Sequence, residues 1–345
     1  SFPDEMEEEI GFEQSKLLFD IAEDAKNYLR GFAVSRGIDM EYLPGQLYVA
    51  HKAAYEDDYR RSVDAMNNRY GYPHISYMER AEARKRVGST HYFGGTRDTG
   101  TGHIHPLKLL VGLAKAAKAA GAGIYEMTPA KSIRQVGGKT IIETPFGTIT
   151  APRVLIATNA YIGNLEPVTA AHIMPIRSFI GATVPLDTFP DIIPDREAVA
   201  DSRFVVRYFR KTADNRLLFG GREAYTADTP RDISSHIRRQ IAEIYPALKD
   251  IDITHSWGGS VGITLPRKVF VREVMPGVTS IGGYSGHGVM LSNYCGKLYA
   301  DLVLGKKDML APFARLKVPS FPGGASLRAP LLFLALSWYA LRDRF

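Results

Sequence analysis

With 345 residues, 45% of them hydrophobic and 23% charged, the chain has the composition of a folded globular protein and the length for two lobes. Its net charge of +6 is scattered, with no basic stripe interleaved with aromatics, which excludes nucleic acid as an expected partner. A single cysteine, Cys295, excludes an internal disulfide and fits a reducing, cytoplasmic setting; no signal-peptide pattern or apolar run long enough for a membrane-spanning helix is read.

The acidic block at residues 4–9 reads as the solvated first turn of a helical pattern. Residues 12–31 then form an amphipathic helix with Leu17, Leu18, Ile21, Ala25 and Leu29 on one side. Pro44-Gly45 turns into a strand at 46–50, and a polar helix over 54–69 closes before Gly71. Pro106 starts a helix that turns Leu109, Leu110, Leu113, Ala117 and Ala120 inward and stops at Gly121. Short β-runs follow at 123–126, 132–136, 140–144, 147–151 and 154–157, a strand, a meander and a strand.

From 177 to 262 the pattern changes to longer antiparallel strands, such as 204–210 and 216–221 around Ala213-Asp214-Asn215. A helix carrying Ile233, Ile237 and Ile241 interrupts them. His103 and His105 share a strand face, yet no carboxylate or cysteine stands at ligand spacing, so they are structural and no metal is expected. The apolar stretch at 329–340 packs on the body or on a partner.

Residues 281–290, Ile-Gly-Gly-Tyr-Ser-Gly-His-Gly-Val-Met, join a strand, a glycine turn and a helix start. The helix shows Leu291, Tyr294, Leu298 and Leu302 on one face and stops at Gly305. Glycines let the backbone approach a ligand closely, and the helix N-terminus offers unpaired N–H groups and positive potential. The turn suits an electron-rich planar or anionic group.

Gly283-Tyr284-Ser285-Gly286-His287-Gly288 resembles the C-terminal flavin turn of the FAD-dependent amine and amino-acid oxidases of the D-amino-acid-oxidase-like family, which includes sarcosine, glycine and γ-glutamylputrescine oxidases. The resemblance implies a mixed α/β fold: a two-dinucleotide-binding-type FAD domain with an antiparallel-sheet substrate domain. Residues 1–38, 93–167 and 258–328 fall to the FAD domain, 39–92 and 168–257 to the substrate domain, and 329–345 to an apolar tail. It also implies FAD contacts at Ala130, Thr158, Asn159, Gly286, His287, Gly288, Val289 and Met290. It implies further that hydride passes from the substrate C–H to the flavin, which leaves no side chain with an assigned catalytic role and His287 as the candidate.

Departures from the family narrow the substrate. Val261 stands where glycine-oxidase-type members carry a carboxylate-binding arginine, and Gly286 where they carry a second. That favours an amine over an α-amino acid, with Tyr284, Trp257, Arg222 and Arg267 as substrate-binding candidates. Leu218 replaces the oxygen-activating lysine of sarcosine-oxidase-like members, which leaves O2 or another electron acceptor open. No cysteine lies near Gly262-Ile263-Thr264, so FAD is expected to be non-covalent. Gly102-His103-Ile104-His105-Pro106-Leu107 and the Pro322-Gly323-Gly324 segment are similar to the γ-glutamylputrescine oxidases, implying an amine or polyamine conjugate and a place in polyamine catabolism.

No Gly-x-Gly-x-x-Gly is present, so the resemblance implies that the first βαβ unit with its phosphate loop is missing and that FAD binds weakly. Two alternatives stand beside the amine oxidase: a non-catalytic remnant or subunit that needs a partner chain, and a sarcosine, glycine or D-amino-acid oxidase or dehydrogenase.

Overall fold

The structure is a computed structural model and describes residues 3–203, 205–224 and 232–324. Helices α1 (Pro3–Ile10) and α2 (Phe12–Ser35) open it, split by Gly11 at φ 77. The buried face of α2 is Leu18, Ile21, Ala25, Leu29 and Ala33, while Leu17 is turned out. The acidic block is not simply solvated: Glu7 pairs with Arg69 at 2.6 Å and accepts from Tyr70, and Glu9 pairs with the buried Lys268. These contacts tie α1 to distant segments, which sequence-local reasoning about the helix dipole does not foresee.

Next come β1 (Leu43–Val49), α3 (Glu56–Asn68), β2 (Ile75–Met78), α4 (Arg80–Val87) and β3 (Gly95–His103). Helix α5 (Pro106–Ala119) has Pro106 in its first turn, and His105 caps it by accepting from the Lys108 N–H at 3.3 Å. His103 contacts the Arg196 carbonyl at 2.8 Å, so both histidines hold backbone. Only Leu109 of the expected inner face is buried; Leu110 and Ala120 are exposed. Residues 123–126 form no strand. A strand lives on its ladder hydrogen bonds, and no described strand pairs with this run, whose Ile124 and Tyr125 are exposed.

The meander follows as β4 (Ser132–Val136), β5 (Lys139–Thr144) and β6 (Gly147–Ala151), then β7 (Val154–Ile156) and α6 (Pro167–His172). The antiparallel region holds β8 (Met174–Pro185), β9 (Ala198–Asp201), β10 (Tyr208–Lys211) and β11 (Arg216–Ala224), then α7 (Ile233–Ile244) and β12 (Ile253–Ile263). Strands β13 (Phe270–Met275) and β14 (Val278–Gly282), α8 (Gly288–Val303) and α9 (Ala311–Ala314) complete it. Phe204 and the tail at 329–345 lie outside the described residues.

Three sheets are present among the described residues: the β4-β5-β6 meander and two that carry the main cores. The large one runs β12-β8-β11-β10-β9-β1-β3-β2, antiparallel except for the β1–β9 pair. Its back face carries Phe179, Phe209, Phe219, Leu47 and Val49, sealed by Ile237 and Ile241 of α7. The small sheet, β13-β14-β7, pairs β14 with β7 in parallel, and a second core joins Ile281 and Val271 to α2 and α8 through Leu18, Ile21, Cys295 and Leu298. Strand β3 pairs with β1, and β12 stays in the large sheet to Ile263.

One corner of the large sheet gathers titratable groups. His51 Nδ1 meets Ser202 Oγ at 2.7 Å, Arg203 binds both Asp201 and His91 (3.1 Å), and Arg207 binds Glu243. Burial, then the charges of Arg203 and Lys52, lower His51 to about 4, and burial followed by Arg203 and Arg207 lowers His91. A histidine whose folded pKa lies below its unfolded value keeps its full stability above about 6.5 and loses it as pH falls toward 4. Asp201, raised by burial, works in the opposite sense. Allowing for the half-exposed state of His51, a net loss of about 1–2 kcal/mol is expected between pH 6.5 and 4. Chemical denaturation across that range should show the slope and a flatter one in His51→Asn; equal slopes would remove His51 as the cause.

Candidate functional site

The glycine turn is built where β14 hands over to α8. Ile281 and Gly282 are still strand, Gly283 has φ 68, Ser285 φ 52 and Gly286 φ 95, and the helix begins at Gly288 with His287 as its cap. Two hydrogen bonds fix it to the end of β12 and a third closes it on itself. The Ser285 N–H donates to the Gly262 carbonyl at 3.0 Å, the Thr264 N–H donates to Ser285 Oγ at 3.3 Å, and Ser285 Oγ donates to the Gly283 carbonyl at 3.1 Å. Asn159 adds a fourth, its Oδ1 accepting from the Gly283 N–H at 2.8 Å. Close packing demands the glycines: a Cβ on Gly262 would come within 2.2 Å of Asn159 Oδ1, and one on Gly283 within 2.3 Å of Thr264 Cγ2.

Gly286 is the opposite case, since a Cβ there would meet nothing within 4 Å. It stands at the open mouth of α8, whose first N–H groups have no partner within the helix. The turn thus presents backbone donors and the positive end of a sixteen-residue helix to open space. His287 is exposed at its surface, and its pKa is lowered, by burial first, with positive charge that includes Arg267 acting in the same sense. Arg267, exposed in the β12–β13 turn, therefore lies near the turn as well. Thr158 adds a buried hydroxyl oxygen with no hydrogen-bond partner among the described residues. Asn159 spends its carbonyl on holding the turn, which makes it a positioning residue.

The front face of the large sheet, opposite α7, is read from the register. Cross-strand partners share a face, and one row runs from Trp257 through Ile180, Gly220, Tyr208, Ala200 and Tyr48 to Thr96 and Tyr77. It contains four aromatic residues and no charged one. Trp257 is 44% exposed and Tyr208 37%, so the β12–β10 half of the row stands open. Beside Trp257 on the same face, Gly259 leaves empty space above it. Tyr161 anchors this edge by accepting from the Ser260 N–H at 3.2 Å.

The expected site residues divide accordingly. Gly286, His287, Gly288, Val289, Met290, Thr158, Asn159 and Arg267 gather about the turn, and Trp257 lies on the front row. Ala130 lies exposed in the irregular run before β4. Tyr284 is not brought to the front face: its ring packs in the α2–α8 core beside Cys295, with burial raising the pKa of both. Arg222 is placed by its backbone opposite Phe179 in the ladder, and its side chain lies outside the described residues. Sequence reasoning missed Ser285 and Tyr208. Ser285 sat inside the quoted motif, but its bonds are tertiary; Tyr208 needed the strand order.

The backbone N–H groups beside Gly286 and at the start of α8 would suit an electron-rich ring edge such as a flavin's, where negative charge develops on reduction. Among the described residues no second glycine-rich strand-to-helix turn is present for the pyrophosphate.

Comparisons with known proteins bear on the family and the fold. The family described as FAD dependent oxidoreductase (DAO) matches residues 7–302. A probable oxidoreductase, OrdL, of Rhizobium meliloti is 67% identical across 99% of this chain and 80% of its own length. The gamma-glutamylputrescine oxidoreductase of Escherichia coli is 32% identical across the same shares of the two chains. Among solved structures, glycine oxidase from Geobacillus kaustophilus superposes with a TM-score of 0.75 at 23% identity, covering 88% of this chain and 84% of that one, which shows the fold.

Proposed function

The chain belongs to the FAD-dependent oxidoreductases of the DAO family, and from that premise we propose that it oxidises the C–N bond of an amine or polyamine conjugate resembling γ-glutamylputrescine. FAD, when bound, supplies the hydride acceptor and is held without a covalent link.

The chain's own residues have three tasks. The backbone N–H groups at Gly286, Gly288 and Val289 would hold the cofactor's pyrimidine edge, aided by the α8 dipole. Asn159, Ser285 and Thr264 fix the turn that carries those donors. The front row would orient the substrate and shield its reacting carbon from water. The observation that carries the amine reading is the content of that row: aromatic and small or aliphatic residues with one threonine and no charged member, and Val261 rather than an arginine further along β12. An α-amino acid needs a bidentate partner for its carboxylate, whereas an alkylamine needs apolar walls and π-faces.

The test is anaerobic mixing of the FAD-supplied protein with γ-glutamylputrescine, glycine, sarcosine and D-alanine. Bleaching of the flavin absorbance is expected with the first and at least tenfold more slowly with the others. Bleaching by glycine or sarcosine, with none by γ-glutamylputrescine, would overturn the substrate class and favour an amino-acid oxidase or dehydrogenase.

A further inference from the structure

Helix α1 reaches two distant parts of the molecule. Met6 and Ile10 stand four residues apart and pack against the core that holds Leu18, Ile21, Val269 and Ile281. That seat leaves two carboxylates free to reach outward. Glu7 is held by Arg69 at 2.6 Å and by the Tyr70 hydroxyl at 2.8 Å, both just beyond α3. Glu9 accepts from the Lys268 ammonium, 259 positions away in the β12–β13 turn.

Lys268 is an unusual place for a charge. Its side chain is 6% exposed, and Glu9 is the one carboxylate paired with it among the described residues. A buried ammonium deprived of its partner is strongly unfavourable, so the β12–β13 turn must keep Lys268 against α1 or move. The same residue supports the glycine turn. Its carbonyl accepts from the Thr264 hydroxyl at 2.7 Å, and the Thr264 N–H donates to Ser285 Oγ at 3.3 Å. Thr264 is fully buried, and its Cγ2 stands where a Cβ on Gly283 would meet it at 2.3 Å. A continuous line of contacts therefore runs from Glu9 through Lys268 and Thr264 to Ser285 and Gly283, the residues that aim the N–H groups at Gly286 and Gly288.

We propose that Glu9 and Lys268 are positioning residues for the flavin: their ion pair tethers the β12–β13 turn to α1 and so sets the geometry of the backbone donors on the glycine turn. This rests on the flavin-holding role given to that turn above and extends it to a helix outside the turn. Without the tether the β12–β13 turn can withdraw, Thr264 follows it, and the bond from its N–H to Ser285 lengthens. The donors then meet developing negative charge less squarely. Affinity for reduced flavin falls more than affinity for oxidised flavin, because only the reduced ring carries that charge.

Amide hydrogen exchange on the chain without cofactor reads the tether directly. In Glu9→Ala the N–H groups of Thr264, Gly283 and Ser285 are expected to exchange at least about tenfold faster than in the wild type, while those of α7, in the other core, change by less than about twofold. Lys268→Met, which fills similar space without charge, should loosen the same three amides. The double variant should be no looser than either single one, because both substitutions remove one shared interaction. On FAD-supplied protein the midpoint potential of the flavin should fall by about 30 mV in Glu9→Ala, the equivalent of a tenfold change in relative affinity for the two redox forms. Unchanged turn amides, equal loosening of the turn and α7, or a double variant whose effects multiply would overturn the tether. Loosened turn amides beside an unchanged potential would overturn the positioning role while leaving the tether in place, so the two failures are told apart.

Discussion

Alanine at Gly283 is expected to destabilise the protein by about 2–4 kcal/mol and to weaken FAD binding by at least about tenfold. Two costs combine there. The backbone sits at φ 68, where a Cβ is strained, and the added atom would lie 2.3 Å from Thr264 Cγ2. Thr264 cannot retreat easily, since it is fully buried and its hydroxyl donates to the Lys268 carbonyl at 2.7 Å. Displacing it would also disturb the Thr264 N–H bond to Ser285 and, through Gly283's own N–H, the bond to Asn159. The donors facing the cofactor would then lose their alignment.

Gly286→Ala is the matched control. Its φ of 95 is also strained, but open space surrounds it, so only the backbone cost of about 1 kcal/mol is expected. Urea denaturation and flavin titration of both variants decide the matter. If the two lose the same stability, the turn is not held by the close approach to β12.

The turn and its helix could be read from the sequence because their information is local. Glycine spacing, the apolar stripe from Leu291 to Leu302 and the stop at Gly305 all lie within one segment. Helix α7 was legible for the same reason, its Ile233, Ile237 and Ile241 repeating at helical spacing. What anchors the turn was not. Asn159 bonds Gly283 from 124 positions away, and nothing at either place marks the other. Period-two alternation can say that Trp257 and Gly259 share a face. It cannot say that β9 will insert in parallel beside β1, which is what carries the row from Tyr208 to Tyr48. The run at 123–126 shows the converse: strand-like composition without a ladder partner gives no strand.

Phe219→Ala is expected to cost about 3–5 kcal/mol, and its effect should cross the sheet. Phe219 is fully buried and stacks on Phe209 with ring centroids 5.3 Å apart and planes at 11°. That stack faces Ile237 and Ile241 of α7, so truncation leaves a cavity lined by branched side chains and fixed strands. On the strand, Phe219 immediately precedes Gly220, and Phe209 immediately follows Tyr208, so the same two backbone segments carry the stack behind and the Tyr208–Gly220 pair in front. A shift of β10 against β11 to fill the cavity would disturb that pair. Phe219→Leu, which leaves a smaller void, should lose less stability than Phe219→Ala. Trp257→Ala gives the contrast: an exposed side chain on the front row, whose loss should cost under about 1 kcal/mol of stability. Were Phe219→Ala to unfold at the same urea concentration as Trp257→Ala, the core behind the row would not be what holds it.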